Sequence, residues 1–282
     1  LRQAIARPDA LPIDFAARER LRQHFERLRA QPLGTNLLDP ALEAHRSEPR
    51  KGNIMKTMLN LLNATVIAAV VATPALSADL KVTFAKSNGR MLLSENASCV
   101  STSSDKSAAG PNKSLAVSWS NGPKGTQSYA LTMVDPDVPA DFSLFNRADK
   151  TIPKDFKRME FVHWVLADIP TSRTRLAEGA DGNGPSANGL PLERTAYGRR
   201  GQNGAGGGNL KDGPHGGYMG ACPPWNDERV HSYHVTVYAL DVDRLNLPDL
   251  FTRADLIAAA KGHILASGSQ ELFYTLNAKA EK

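Results

Sequence analysis

Ser232-Tyr233-His234-Val235-Thr236-Val237-Tyr238-Ala239-Leu240 alternates with a period of two. Tyr233, Val235, Val237 and Ala239 fall on one face and His234, Thr236, Tyr238 and Leu240 on the other, the pattern of a strand laid against a core. Working outward, Leu80–Phe84, Leu115–Trp119, Tyr129–Val134, Phe161–Ile169 and finally Leu272–Leu276 read as further strands. Asn121-Gly122-Pro123 is a turn, and 94–112, rich in Ser, Asn and Gly, reads as loop. One helix is expected late in the chain. Thr252 and Asp255 form its capping box, Leu256, Ile257 and Ala260 its apolar face, and Gly268 marks its end. Many short strands with long loops predict a mainly β, antiparallel sandwich.

The chain has 282 residues and divides into three parts. Residues 55–78 read as a signal peptide: Lys56 is the positive start, Leu59 to Ala72 the apolar run, and Pro74 the break. Cleavage after Ser77 would use Ala75-Leu76-Ser77, so the mature protein is expected to begin near Ala78. Asn60, Asn63 and Pro74 interrupt a run already shorter than the roughly 20 residues of a membrane span, so no integral span is expected in the mature protein. Residues 1–54 are then an upstream extension ahead of Met55. The competing reading is a membrane- or partner-binding arm, because Ile13, Ala17, Leu21, Phe25 and Leu28 have helical spacing opposite a basic face. Residues 79–282 make the working domain, expected in the periplasm or outside the cell.

Charge follows the same division. The whole chain carries 34 Lys+Arg and 29 Asp+Glu, formally +5, but 79–282 hold only 23 and 22 of them. No basic stripe with interleaved aromatics remains there, so no nucleic-acid partner is expected. Cys99 and Cys222 are the only cysteines. An even count in an oxidising compartment predicts one disulfide. The alternatives are a thiol nucleophile or a metal site, but no CxxC pair is present, and neither a metal nor a cofactor is expected.

Polar chemistry concentrates in four runs: Asp135-Pro136-Asp137-Val138-Pro139, Phe161-Val162-His163-Trp164, Gly220-Ala221-Cys222-Pro223-Pro224 and His231-Ser232-Tyr233. Each lies at or beside the end of an expected strand, with Asp135 at the end of one and His163 inside another. Two imidazoles and a phenol can donate to an anion, a carboxylate can accept from a hydroxyl or ammonium, and prolines stiffen the loops. These groups suit a small rigid pocket for a phosphate-like or zwitterionic head group. Glu178–Gly217 is glycine-rich but lacks the Gly-Lys-Ser/Thr ending of a phosphate loop, leaving Arg199 and Arg200 as candidates for steering an anion. His215, in the glycine-rich approach, has no assigned role, Tyr218 reads as pocket rim or core, and His234 and His263 read equally well as structural hydrogen-bonders or as ligand groups.

The four ordered motifs resemble those of the phosphatidylethanolamine-binding protein family, also called Raf-kinase-inhibitor-like proteins, in its secreted bacterial branch. The resemblance spans Leu80 to Leu276 and implies an antiparallel β-sandwich with a few flanking helices. It places Asp135, His163, His231 and Tyr233 in an anion pocket walled by Val138, Phe161, Pro223 and Pro224. Ser232 replaces the Arg usual in relatives, removing one charge beside the pocket. Ala221 replaces a common Pro, and the insertion 140–160 alters the mouth. The expected function is small-ligand binding without catalysis, with an anionic or zwitterionic ligand as partner and a protein as a second partner class. The alternatives are a protease-inhibitor or interaction module and, third, a hydrolase using an Asp/His pair.

Overall fold

In the computed structural model, residues 79–103, 106–186, 188–206 and 213–280 are described. The expectations for the signal peptide and the upstream extension lie outside the described residues. The strands in chain order are β1 (Val82–Phe84), β2 (Cys99–Val100), β3 (Ala108–Ala109), β4 (Val117–Trp119), β5 (Ser128–Pro139) and β6 (Arg158–Pro170). They continue as β7 (Arg175–Leu176), β8 (Arg194–Thr195), β9 (Gly198–Arg200), β10 (His231–Leu240) and β11 (Ile264–Tyr274), with α1 (Arg253–Ala260) before the last. Among the described residues, no helix is long and apolar enough to cross a membrane.

Antiparallel pairing builds a six-stranded sheet in the order β11-β10-β5-β6-β9-β8, a three-stranded sheet β1-β4-β7, and the short ladder β2-β3. The fold is therefore mainly β and antiparallel, as the alternation predicts. Tyr233, Val235, Val237 and Ala239 of β10 join Leu131 and Met133 of β5 and Trp164 and Leu166 of β6 in one core, closed from the other side by Val82, Val117 and Trp119 of the small sheet. The opposite face of the large sheet is covered as well. Ala130, Val165, Ala167 and Leu240 pack there with Phe251 and with Leu256 and Ala260 of α1. Thr252 caps α1 as expected: its hydroxyl accepts from the Asp255 N–H at 3.3 Å, and the Asp255 carboxylate accepts from the Thr252 N–H at 2.8 Å.

Three local expectations need correction. The helix ends at Ala260 rather than Gly268, and Gly262, at φ 87°, reverses the chain into an eleven-residue β11. Gly268 lies in the middle of that strand because a Cβ there would collide with the Leu80 carbonyl. The 94–112 loop contains the β2-β3 ladder and a 3-10 turn at Ser94–Asn96. Finally, Asp135 does not end its strand: β5 runs on to Pro139 through a bulge.

Candidate functional site

Bulges aim the polar groups. β5 and β6 slip register between Met133 and Val134 and again between Asp135 and Val138. Pro136 lacks the N–H a ladder needs, so a bulge is where it is tolerated. On β6 the slip breaks the alternation. Trp164 lies in the inner core while His163, its neighbour, meets the ring of the inner-face residue Tyr233 at 5.2 Å; Val162 and Val165 face α1. An extra residue re-aims side chains in this way, and here it gives one strand both a core tryptophan and a pocket histidine.

All eight residues expected in the pocket line a single cavity of about 150 Å³: Asp135, Val138, Phe161, His163, Pro223, Pro224, His231 and Tyr233. Phe142, Phe145, Met219 and Cys222 complete its walls. Cys222 is bonded to Cys99 as expected, with Cα atoms 4.8 Å apart. The bridge fixes the cavity's proline wall to β2.

His231 is not free to bind an anion. Its Nδ1 meets Asp135 Oδ2 at 2.7 Å and its Nε2 meets Asp227 Oδ2 at 3.1 Å. A carboxylate only accepts, so both ring nitrogens carry hydrogen and the ring is an imidazolium. Burial favours the neutral ring, but the two carboxylates outweigh it and raise the pKa to about 9. Asp227 is held below its ordinary value: burial opposes ionisation, while His231, Arg158 and the Arg229 N–H favour it. Arg158 grips both of its oxygens. Asp137 accepts from Arg229 at 3.0 Å and from the N–H and hydroxyl of Ser232 at 2.9 and 2.6 Å. Asp135, Asp137 and Asp227 thus balance His231, Arg158 and Arg229, and Arg229 supplies a charge where the motif has Ser232.

The free hydrogen-bonding capacity lies on the other side. His163 donates from Nδ1 to the Met219 carbonyl at 2.8 Å. Burial is the main influence on the ring and lowers its pKa, so it is neutral and its Nε2 is an acceptor that no described residue engages. The Tyr233 hydroxyl is fully buried and has no hydrogen-bond partner among the described residues. Burial, then the Asp135 charge and the approach of its carboxylate, which falls outside hydrogen-bond geometry, hold this phenol well above its ordinary pKa, so it remains a donor.

A family model described as Phosphatidylethanolamine-binding protein matches residues 85–275. The chain belongs to that family. Among curated relatives, a UPF0098 protein of Aquifex aeolicus is 30% identical over 150 residues, covering 53% of this chain and 67% of its own length. UPF0098 protein YbhB of Escherichia coli is 28% identical over 162 residues, covering 57% and 80%. The crystal structure of E. coli YbcL covers 70% of this chain and 99% of its own with a TM-score of 0.50; at 24% identity it speaks to the fold alone.

Other candidates fall elsewhere. Arg200 is bound to Asp181 and Glu193, and Arg199 bonds the Leu247 and Pro248 carbonyls, so neither is available to steer an anion. Tyr218 is core, its hydroxyl donating to the Asn96 carbonyl. His234 and His263 pair with Ser232 and Asp241 away from the cavity. Sequence reasoning missed Asp227, which holds His231, and Arg158 and Arg229, which bind Asp227 and Asp137. The one signal was the Asp227/His231 spacing, visible only once both were known to bracket the same loop.

Proposed function

We propose that this is an exported binding protein whose cavity takes a small anionic or zwitterionic head group and performs no chemistry on it. The observation that carries the reading is the pair of unspent groups in one cavity, the buried Tyr233 hydroxyl and the Nε2 of His163, whose rings meet at 5.2 Å. A buried donor without a partner costs about 1–3 kcal/mol, which a ligand oxygen would recover. A singly protonated phosphate suits both groups: one oxygen accepts from Tyr233 and its hydroxyl donates to His163. Binding a fully ionised oxygen would instead draw a proton onto His163 by placing opposite charge beside it.

The Asp135/His231 pair completes the wall, where Asp135 can face a ligand ammonium. At about 30 Å³ per water, a cavity of about 150 Å³ takes about five water volumes. That suits a head group and leaves any tail outside, toward Phe142 and Phe145. Two features weigh against a hydrolase: both nitrogens of His231 are engaged by carboxylates, and Cys222 is bridged. The leader sequence and the disulfide support export in the manner of the secreted branch. A protein-interaction role at the same mouth draws support from Phe142, a cavity wall that is 40% exposed.

Calorimetric titration with inorganic phosphate and with phosphoethanolamine tests the reading. His163→Ala and Tyr233→Phe should each weaken binding about tenfold, the worth of one buried hydrogen bond, while His263→Ala should not. Equal affinities in all four proteins would reject it, and turnover of a phosphate ester lost on His231→Ala would favour the enzyme.

A further inference from the structure

A second and larger cavity, of about 410 Å³, lies beyond Met219, which is a wall of both. Its volume falls in the range of small-molecule sites. His215 lines it, only 2% exposed, and the Nε2 of this ring has no hydrogen-bond partner among the described residues. The backbone of His215 is also unusual. Its φ of 52° is left-handed, a conformation that costs a residue with a Cβ. The frame enforces it: the His215 N–H donates to the Asn188 carbonyl at 3.0 Å and its carbonyl accepts from the Asn203 N–H at 2.9 Å. Gly189 makes room, since a Cβ there would press on the His215 backbone. A strained residue with an unpaired buried nitrogen in a cavity wall is the kind of outlier from which a site is inferred.

The rest of the wall defines the ligand. The amides of Asn112 and Asn203 are spent on backbone groups of Gly220, Gly184, Ala205 and Gly217 and the hydroxyls of Ser98 and Ser186 on the Gly220 and Gly189 carbonyls, which leaves the Asn183 amide as the other polar side chain of the wall. Leu190, Tyr218 and Met219 give it an apolar surface. No charged side chain lines it among the described residues. An ion would lose its hydration there without compensation. We infer that this cavity is a second ligand site, for a neutral and largely apolar molecule with one hydroxyl or amide that hydrogen-bonds His215. It is separate from the head-group cavity in position, size and charge preference.

The test follows the Met219 methyl and His215 ring resonances of the full chain during titration with p-cresol and with benzamide, with benzoate as the charged control. Both neutral probes should give saturable shifts, and benzoate should bind at least about tenfold more weakly. His215→Phe should weaken p-cresol about tenfold. His215→Asn, whose residue type tolerates a left-handed backbone, provides a second variant in case the first fails to fold. An intact thermal midpoint and an unchanged phosphate titration would show that either variant remains folded. The inference is overturned if neither neutral probe gives a saturable shift up to its solubility limit, if benzoate binds as well, or if the folded variants bind the probes like the parent. A crystal soaked in p-cresol that shows only an ordered water on His215 would overturn it too.

Discussion

Raising the pH should unlock the buried cluster around His231. In the folded protein burial lowers the affinity of this ring for its proton, but Asp135 and Asp227 reverse the effect and bring its pKa to about 9, against an ordinary value of 6.5. A folded pKa raised above the unfolded one adds stability that is fully present below the unfolded value and lost as pH climbs through the folded value. The gap is worth about 3 kcal/mol, of which about 2 kcal/mol should disappear between about pH 7 and pH 9. His163 acts with the opposite sign, because its lowered pKa removes stability only as pH falls below its ordinary range. It therefore leaves the alkaline window clear. Urea denaturation at closely spaced pH values measures the slope, and ring resonances of His231 give its titration directly. His231→Gln should be less stable near neutrality and nearly flat across that window. A His231 that titrates near 6.5, or parent stability that is flat or rising from about pH 7 to pH 9, would refute the imidazolium and the geometry behind it.

Two further outcomes follow from the site and its anchor. Without ligand, Tyr233→Phe should stabilise the protein by about 1 kcal/mol in urea denaturation, because it removes a buried hydroxyl that lacks a partner; a loss of stability would mean that the hydroxyl is satisfied. Reducing the Cys99–Cys222 bridge, which closes a sequence separation of 123, should cost about 5 kcal/mol in the chain-entropy model and shift the thermal midpoint downward. Two free thiols in the oxidised, denatured protein would remove the basis for that figure.

The central strands were legible because they bury one face strongly: Tyr233, Val235 and Val237 mark β10 at period two, and all lie in the core. β11 was harder to read. It is an edge strand whose Gly268 and Gln270, opposite Val237 and Val235, interrupt the apolar rhythm of the inward face, and Gly268 serves the close approach of Leu80 ahead of β1. The polar residues that converge on the small cavity could be picked out because their types and order match the four motifs. Their hydrogen bonds could not. Whether His231 donates to a ligand or to carboxylates depends on Asp227, drawn in by Arg158 from a strand 69 residues away. The strain at His215 was likewise hidden, since it arises from tertiary bonds to Asn188 and Asn203.

The bulge in β6 also sets what kinds of change this domain can absorb. His163 and Trp164 face the same side only because the ladder slips beside them. The pocket position can therefore be varied by substitution without disturbing the hydrophobic position next to it, and the chemistry of the cavity is free to drift while the sandwich stays intact. Losing a single residue there is a different event. It would restore strict alternation and force one of the two inward groups to the α1 face, so the segment should be permissive to replacement and intolerant of deletion.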